Sequence, residues 1–239
     1  MTPLLRCALF LLWPAGLAPA AAPPPAVTAP RATFGLPLDR LQERLPPPPG
    51  QGSLEEEADL EAVRQAQTWR SPAQETWARR VDRCDIFDLL DILGPDFKAK
   101  SLPRTARLLE AVLEETRGLS RELKRRHARP RPPQVDPAIR PCVPLPASPA
   151  YPSGHAFSIA LQFGVVAEIL PEARDLIQAQ ARRATWGRVL AGVHYPTDLE
   201  GSRILAEAVL TELRLNRAFR KAVAACRAEV APLLARKAA

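Results

Sequence analysis

The sequence predicts an all-α fold, a single helical bundle. Ala, Leu and Arg are abundant, while aromatic residues make up only 5 % of the 239 positions, and ring and β-branched side chains carry most strand propensity. A hydrophobic share of 46 % against 25 % charged is that of an ordinary globular chain, long enough for one good core. Apolar residues recur at helical spacing, and no stretch reads convincingly as a strand.

The elements follow in order. Residues 1–20 have the form of a signal peptide: a short positive start through Arg6, an apolar run from Cys7 to Trp13, and the small residues Ala18-Pro19-Ala20. That run is well short of the ~20 residues that a membrane span needs, and no later run reaches that length. The expected mature protein starts at Ala21, has no membrane span, and is periplasmic or secreted from a bacterium. Residues 21–52 are proline-rich, ending in LPPPPGQG, and predict an extended N-terminal arm. From residue 53 to 239 the pattern is helical. Ser53-Leu54-Glu55-Glu56 has the form of a capping box, and Ser71-Pro72-Ala73-Gln74 repeats it with proline in the first turn. Gly94-Pro95 breaks the pair of helices so started. Between Pro103 and His127, Leu108, Val112, Leu119 and Leu123 share one helical face, a core stripe.

Nine prolines in the 23 residues from Pro130 to Pro152 predict a long irregular loop that is neither helix nor central strand. Long loops in compact domains are often functional. Helices are predicted beyond it over Gly154 to Leu170, Pro171 to Ala191, Pro196 to Leu215 and Asn216 to Leu234.

Charge and cysteines narrow the classes. The net charge of +7 becomes about +6 without Arg6. The basic pairs and runs, such as Arg79-Arg80 and Arg182-Arg183, carry no neighbouring aromatic platform, which argues against nucleic acid and favours small anions. Cys84, Cys142 and Cys226 remain in the mature chain with no zinc-binding spacing. An exported chain could form one disulfide among them, with the pairing open.

Chemistry gathers at helix ends. Lys124 and Arg131 bracket the entry to the proline loop, the first a point charge and the second a bidentate donor. Ser153 and Gly154 open a helix whose free N–H groups suit an oxyanion, and His155 stands beside them as a proton donor. Arg188, His194 and Asp198 form the last cluster. On one continuous helix Arg188 and His194 would point about 120° apart, so the break expected at Gly192 matters. It would let Asp198 accept the imidazole Nδ1 proton and leave Nε2 with a free lone pair. A satisfied core histidine and a helix-capping aspartate remain the plain alternative.

Together these clusters, K-x6-RP, PSGH and R-x5-H-x3-D, resemble the signature of the type 2 phosphatidic acid phosphatase and vanadium haloperoxidase superfamily. PPPPG, ADLEAV and LGPDF extend the likeness to the soluble bacterial class A acid phosphatases. The resemblance implies that family's helical bundle with the proline loop at the active site, so that residues 53–239 are an all-helical acid phosphatase domain. It implies His194 as nucleophile forming a phosphohistidine, Asp198 orienting it, and His155 as acid and then base. Lys124, Arg131, Ser153, Gly154 and Arg188 would hold the phosphate, with no metal and no cofactor, and small phosphomonoesters would be the substrates. One position departs: Gly187 stands where the family has serine. His127 is expected to be a bystander. Vanadate could occupy the same cradle as a phosphate mimic, so a vanadium-dependent haloperoxidase is the nearest alternative, and a non-catalytic phosphate-binding helical protein the next. A homo-oligomer stays open.

Overall fold

The computed structural model describes residues 34–238. The expected signal peptide, residues 1–20, and the first part of the expected arm lie outside them. Every element among the described residues is helical: α1 (Leu38–Glu43), α2 (Leu54–Trp69), α3 (Pro72–Asp82), α4 (Ile86–Leu89), α5 (Pro103–Thr116), α6 (Leu119–His127), α7 (Pro132–Val135), α8 (Gly154–Ile169), α9 (Arg174–Leu190), α10 (Pro196–Leu215) and α11 (Arg217–Ala238). Short 3₁₀ turns follow α4 and precede α9.

The bundle is built around α8. Its sequence, GHAFSIALQFGVVAEI, is apolar nearly all round, as a helix enclosed on every side must be. Phe157, Ile159, Leu161, Phe163, Val165, Val166 and Ile169 are all buried. Helices α9 and α10 cover it over most of its length, and α5, α6 and α11 close the remaining sides.

Local signals act as the sequence predicts at several ends. Ser71 accepts from the Gln74 amide while the Gln74 side chain accepts from the Ser71 amide, the reciprocal box expected there. Ser53 caps α2 in the same way, but Glu56 turns back to the Gly52 amide instead (2.6 Å). Leu108, Val112, Leu119 and Leu123 are all buried on one side, yet the helix carrying them is interrupted between Thr116 and Leu119, at Gly118.

Three expectations need correction. The arm is not wholly extended: α1 lies within it, with Leu41 and Leu45 buried in the main core. Proline-rich composition hid a short amphipathic turn there. The segment is strapped down by the Glu115 carboxylate, which accepts the Phe34 and Leu36 amides (2.6 and 2.8 Å). The Tyr151 hydroxyl also donates to the Pro46 carbonyl at 2.6 Å. Second, the proline loop includes the one-turn α7, whose first residues are prolines; proline in a first turn gives up no helical hydrogen bond. Third, Trp77 lies between Arg80 and Arg183, 5.3 and 4.1 Å from their guanidinium carbons, so an aromatic ring does sit among the basic pairs. It is buried, and cannot stack on a base. Cys84, Cys142 and Cys226 are all free thiols, so the disulfide the sequence permitted is not formed.

The loop that opens α8 depends on a tight contact. A Cβ built on Gly201 would lie 2.5–2.7 Å from the Tyr151 ring and hydroxyl, which are rigid and already bonded to Pro46. Gly201→Ala should therefore destabilise the fold by about 1–3 kcal/mol. A thermal melt should read this as a lower Tm.

Candidate active site

The proline loop, the start of α8 and the bend between α9 and α10 meet at one place. Gly192 makes that bend at φ +76°, a left-handed conformation that glycine adopts at no steric cost. The turn carries the chain from Arg188, at the end of α9, to His194 and then to Asp198 in the first turn of α10. Arg188, His194 and Asp198 are buried at 0, 1 and 0 % exposure.

The partners of His194 fix its tautomer. Nδ1 is 3.0 Å from Asp198 Oδ2, and Nε2 is 3.1 Å from Arg131 Nη1. A guanidinium can only donate, so Nε2 holds the lone pair and Nδ1 carries the proton that Asp198 accepts. Burial, followed by the charges of Arg131, Lys124 and Arg188, pushes the imidazole well below its ordinary pKa, which keeps it neutral.

The cations come from separate elements. Arg131 is locked by the carbonyls of Ser148 (2.7 Å) and Val193 (2.8 Å). Lys124, in the last turn of α6, reaches the carbonyls of Pro149 (2.5 Å) and Ala150 (3.1 Å). Burial and the charge of Arg131 bring its ammonium down to about 7. Arg188 donates from Nη1 to Asp82 Oδ1 at 2.6 Å. Its Nε and Nη2 are buried without a hydrogen-bond partner. Orphaned donors of this kind are rare in folded proteins because each costs the desolvation of its N–H, and a tetrahedral oxyanion is the sort of ligand that satisfies both.

At the start of α8, Ser153 Oγ accepts the Ala156 amide and Ser153 O accepts that of Phe157. The first-turn amides of Gly154 and His155 are left for a ligand. His155 Nε2 is 3.1 Å from the Asp82 carbonyl, to which it donates, and burial together with Arg188 lowers this imidazole to about 4. Beside His155 and Lys124 opens a cavity of about 690 Å³ with an apolar wall of Ile86, Phe87, Leu109, Leu113 and Phe157.

The structure thus gathers all eight residues singled out from sequence. His127 stands apart, its ring edge-on to Tyr151 at 5.1 Å. Gly187 packs against α3, where a Cβ would lie 3.0 Å from Val81 Cγ2. The missing hydroxyl thus coincides with a close helix contact. Sequence reading missed Asp82, which braces both Arg188 and His155, and Arg129. The latter is 5 % exposed, donates to Asp198 Oδ1 and Asp59 Oδ2, each at 2.7 Å, and lies over the Tyr195 ring at 4.0 Å. Burial pushes the Asp198 carboxyl up, and Arg129 opposes that shift.

A pH dependence of anion binding follows from the crowded cations. A bound dianion raises the pKa of Lys124 above its free value of about 7 and that of His155 above about 4. Affinity is therefore strongest where both are already protonated, and falls as pH rises through each free value. The Kd of sulfate, a dianion throughout, should rise from pH 4 to 9, by up to about tenfold per unit above 7. Calorimetric titration checks this, and Lys124→Ala should lose the steeper alkaline part.

The all-helical bundle shares its fold with a solved PAP2 type phosphatase. Residues 109–221 match the family model of the PAP2 superfamily. It is 27 % identical over 201 residues to a non-specific acid phosphatase of Providencia stuartii, covering 79 % of this chain and 80 % of that protein. A non-specific acid phosphatase of Salmonella typhimurium is 24 % identical over 205 residues, covering 78 % of each chain. Among solved structures, a transmembrane PAP2 type phosphatidylglycerolphosphate phosphatase from Bacillus subtilis matches with a TM-score of 0.53 at 21 % identity, over 73 % of this chain and 89 % of that one. No helix among the described residues is long and apolar enough to cross a membrane.

Proposed function

We propose that this chain is an exported acid phosphatase that hydrolyses phosphomonoesters without a metal, through a phosphohistidine on His194. The superfamily domain and the two acid phosphatase relatives support phosphatase activity. The observation that carries the mechanism is the fixed tautomer of His194, whose Nε2 lone pair faces the guanidinium of Arg131 within reach of the charge of Arg188, a residue with two unpaired buried donors.

In the first step Nε2 forms a bond to phosphorus as the bond to the ester oxygen breaks. The positive charge that develops on the ring is balanced by Asp198 through Nδ1–H. Arg131, Arg188, Lys124 and the amides of Gly154 and His155 hold the equatorial oxygens, where charge persists through the transition state. His155, held through Nε2 by the Asp82 carbonyl, has Nδ1 to offer the leaving oxygen. It gives up one proton there, and the alcohol departs along the apolar cavity. Neutral His155 then takes a proton from water as that oxygen attacks phosphorus, releasing phosphate and restoring His194. A dianionic substrate raises the pKa of His155, and the need for its proton places the optimum on the acid side.

Export rests on the leader pattern of residues 1–20, and N-terminal sequencing of the mature protein should begin at Ala21. The activity itself is tested by release of p-nitrophenol from p-nitrophenyl phosphate with and without EDTA, followed by base-stable, acid-labile ³²P labelling of the enzyme. Loss of turnover in EDTA, or turnover with no label trapped under any quench, would overturn the metal-free phosphohistidine route.

A further inference from the structure

We propose that Asp59, which lies on α2 outside the residues matched by the superfamily model, is a positioning residue of this reaction. Acting through Arg129, it sets the charge that Asp198 presents to His194. The inference rests on the phosphatase reading above. Its basis is a buried chain of contacts: Asp59 Oδ2 accepts from Arg129 Nη2 at 2.7 Å, Arg129 Nη1 donates to Asp198 Oδ1 at 2.7 Å, and Asp198 Oδ2 accepts the Nδ1 proton of His194 at 3.0 Å. Asp59 is 3 % exposed and Asp198 is 0 %.

The arrangement is more than an ion pair holding helices together. Asp59 Oδ1 accepts the Thr197 amide at 3.1 Å and Oδ2 accepts the Thr197 hydroxyl, so the α2 carboxylate also grips the first turn of α10. The hydroxyl accepts in turn from Arg129 Nη1 at 2.8 Å, which closes a ring of satisfied donors and acceptors. Val63, Leu60, Tyr195 and Leu199 form an apolar cluster beside it that seats α2 against α10. Asp59 is held as firmly as the catalytic groups themselves.

Its charge matters because of what surrounds His194. Arg131, Lys124, Arg188 and His155 all act against positive charge on that ring. Asp198 is the carboxylate on the other side, and it shares its charge with Arg129. With Asp59 present, one guanidinium is divided between two carboxylates and the group carries a net negative charge. Without it, Arg129 would be bound to Asp198 alone, and that carboxylate would oppose the developing imidazolium less well. Asp59, Arg129 and Asp198 stand on the Nδ1 side of the imidazole, whereas Arg131 meets it at Nε2, where phosphorus would be attacked. The effect therefore belongs to the phosphoryl transfer step, not to binding.

Asp59→Asn keeps the shape and an acceptor oxygen while removing the charge. For an alkyl phosphate, kcat should fall by about tenfold or more, the scale of one pKa unit, with KM and the Kd of sulfate within about threefold of the parent. Asp59→Glu, which restores the charge, should recover most of kcat. The proposal is overturned if kcat of Asp59→Asn stays within about twofold of the parent. It is also overturned if kcat and sulfate affinity fall together, since Asp59 would then only support the fold. Should the asparagine variant not fold, Asp59→Ala assayed with added formate decides: kcat restored at unchanged KM supports the proposal, and folded protein with no restoration overturns it. A parent protein that turns over no phosphomonoester would instead refute the phosphatase reading.

Discussion

His194→Ala should reduce turnover of any phosphomonoester by at least about 10⁴-fold, the scale seen when a covalent nucleophile is removed. Its imidazole is buried at 1 % exposure, and the pairing of Nε2 with Arg131 and Nδ1 with Asp198 leaves no neighbour able to take its place. The cations would remain. Sulfate should therefore bind the variant at least as tightly as the parent, because removing the ring leaves room for a hydrated anion and does not disturb Arg188 or Lys124. Steady-state kinetics with sulfate calorimetry on the same preparation separates the two effects. Turnover within tenfold of the parent would end the nucleophile assignment, and loss of sulfate binding would indicate a collapsed cradle.

His155→Ala should divide substrates by their leaving groups. An alkyl alkoxide needs a proton as it departs, and loss of a positioned acid typically costs about 10²–10⁴-fold. The p-nitrophenolate ion leaves readily without one, so p-nitrophenyl phosphate should lose only about tenfold in phosphoryl transfer. The sign of the pH effect follows from the same group. Burial and Arg188 hold the free imidazole at about 4, and the dianion beside it raises that value in the complex. Parent kcat for an alkyl ester should therefore decline on the alkaline side as the acid is lost, and the variant should lose this limb. Equal losses in kcat/KM, which reports phosphoryl transfer and not the later hydrolysis that both esters share, would remove His155 from the proton-donor role.

Much of this site is written locally in the sequence. Gly192, Pro196 and the serine that opens α8 are punctuation whose effect is confined to a few residues, so the bend carrying His194 and the helix carrying Asp198 could be read directly. The all-helical class was equally legible, because composition and apolar spacing agree along the whole chain. Arg129 and Asp59 were not. Both stand inside stretches quoted for the family likeness, ADLEAV and K-x6-RP, but they meet across 70 positions and no local pattern pairs one with the other. Asp82 escaped for the same reason, looking like an ordinary acidic helix end until α9 brings Arg188 beside it. The break between α5 and α6 was hidden by a hydrophobic stripe that keeps its register across Gly118. The short α1 was hidden by the prolines around it.

The strap formed by residues 34–46 bears on how the chain can be shortened. Its last anchor is the hydrogen bond from Tyr151 to Pro46, and Tyr151 directly precedes the Pro152-Ser153 corner that aims the amides of α8. A version trimmed to start at the first long helix would uncover the apolar trench that Leu41 and Leu45 fill. It would also release the brace behind the Pro152-Ser153 corner. The smallest autonomous catalyst in this chain therefore begins upstream of its helical body, within the segment whose composition looks most dispensable.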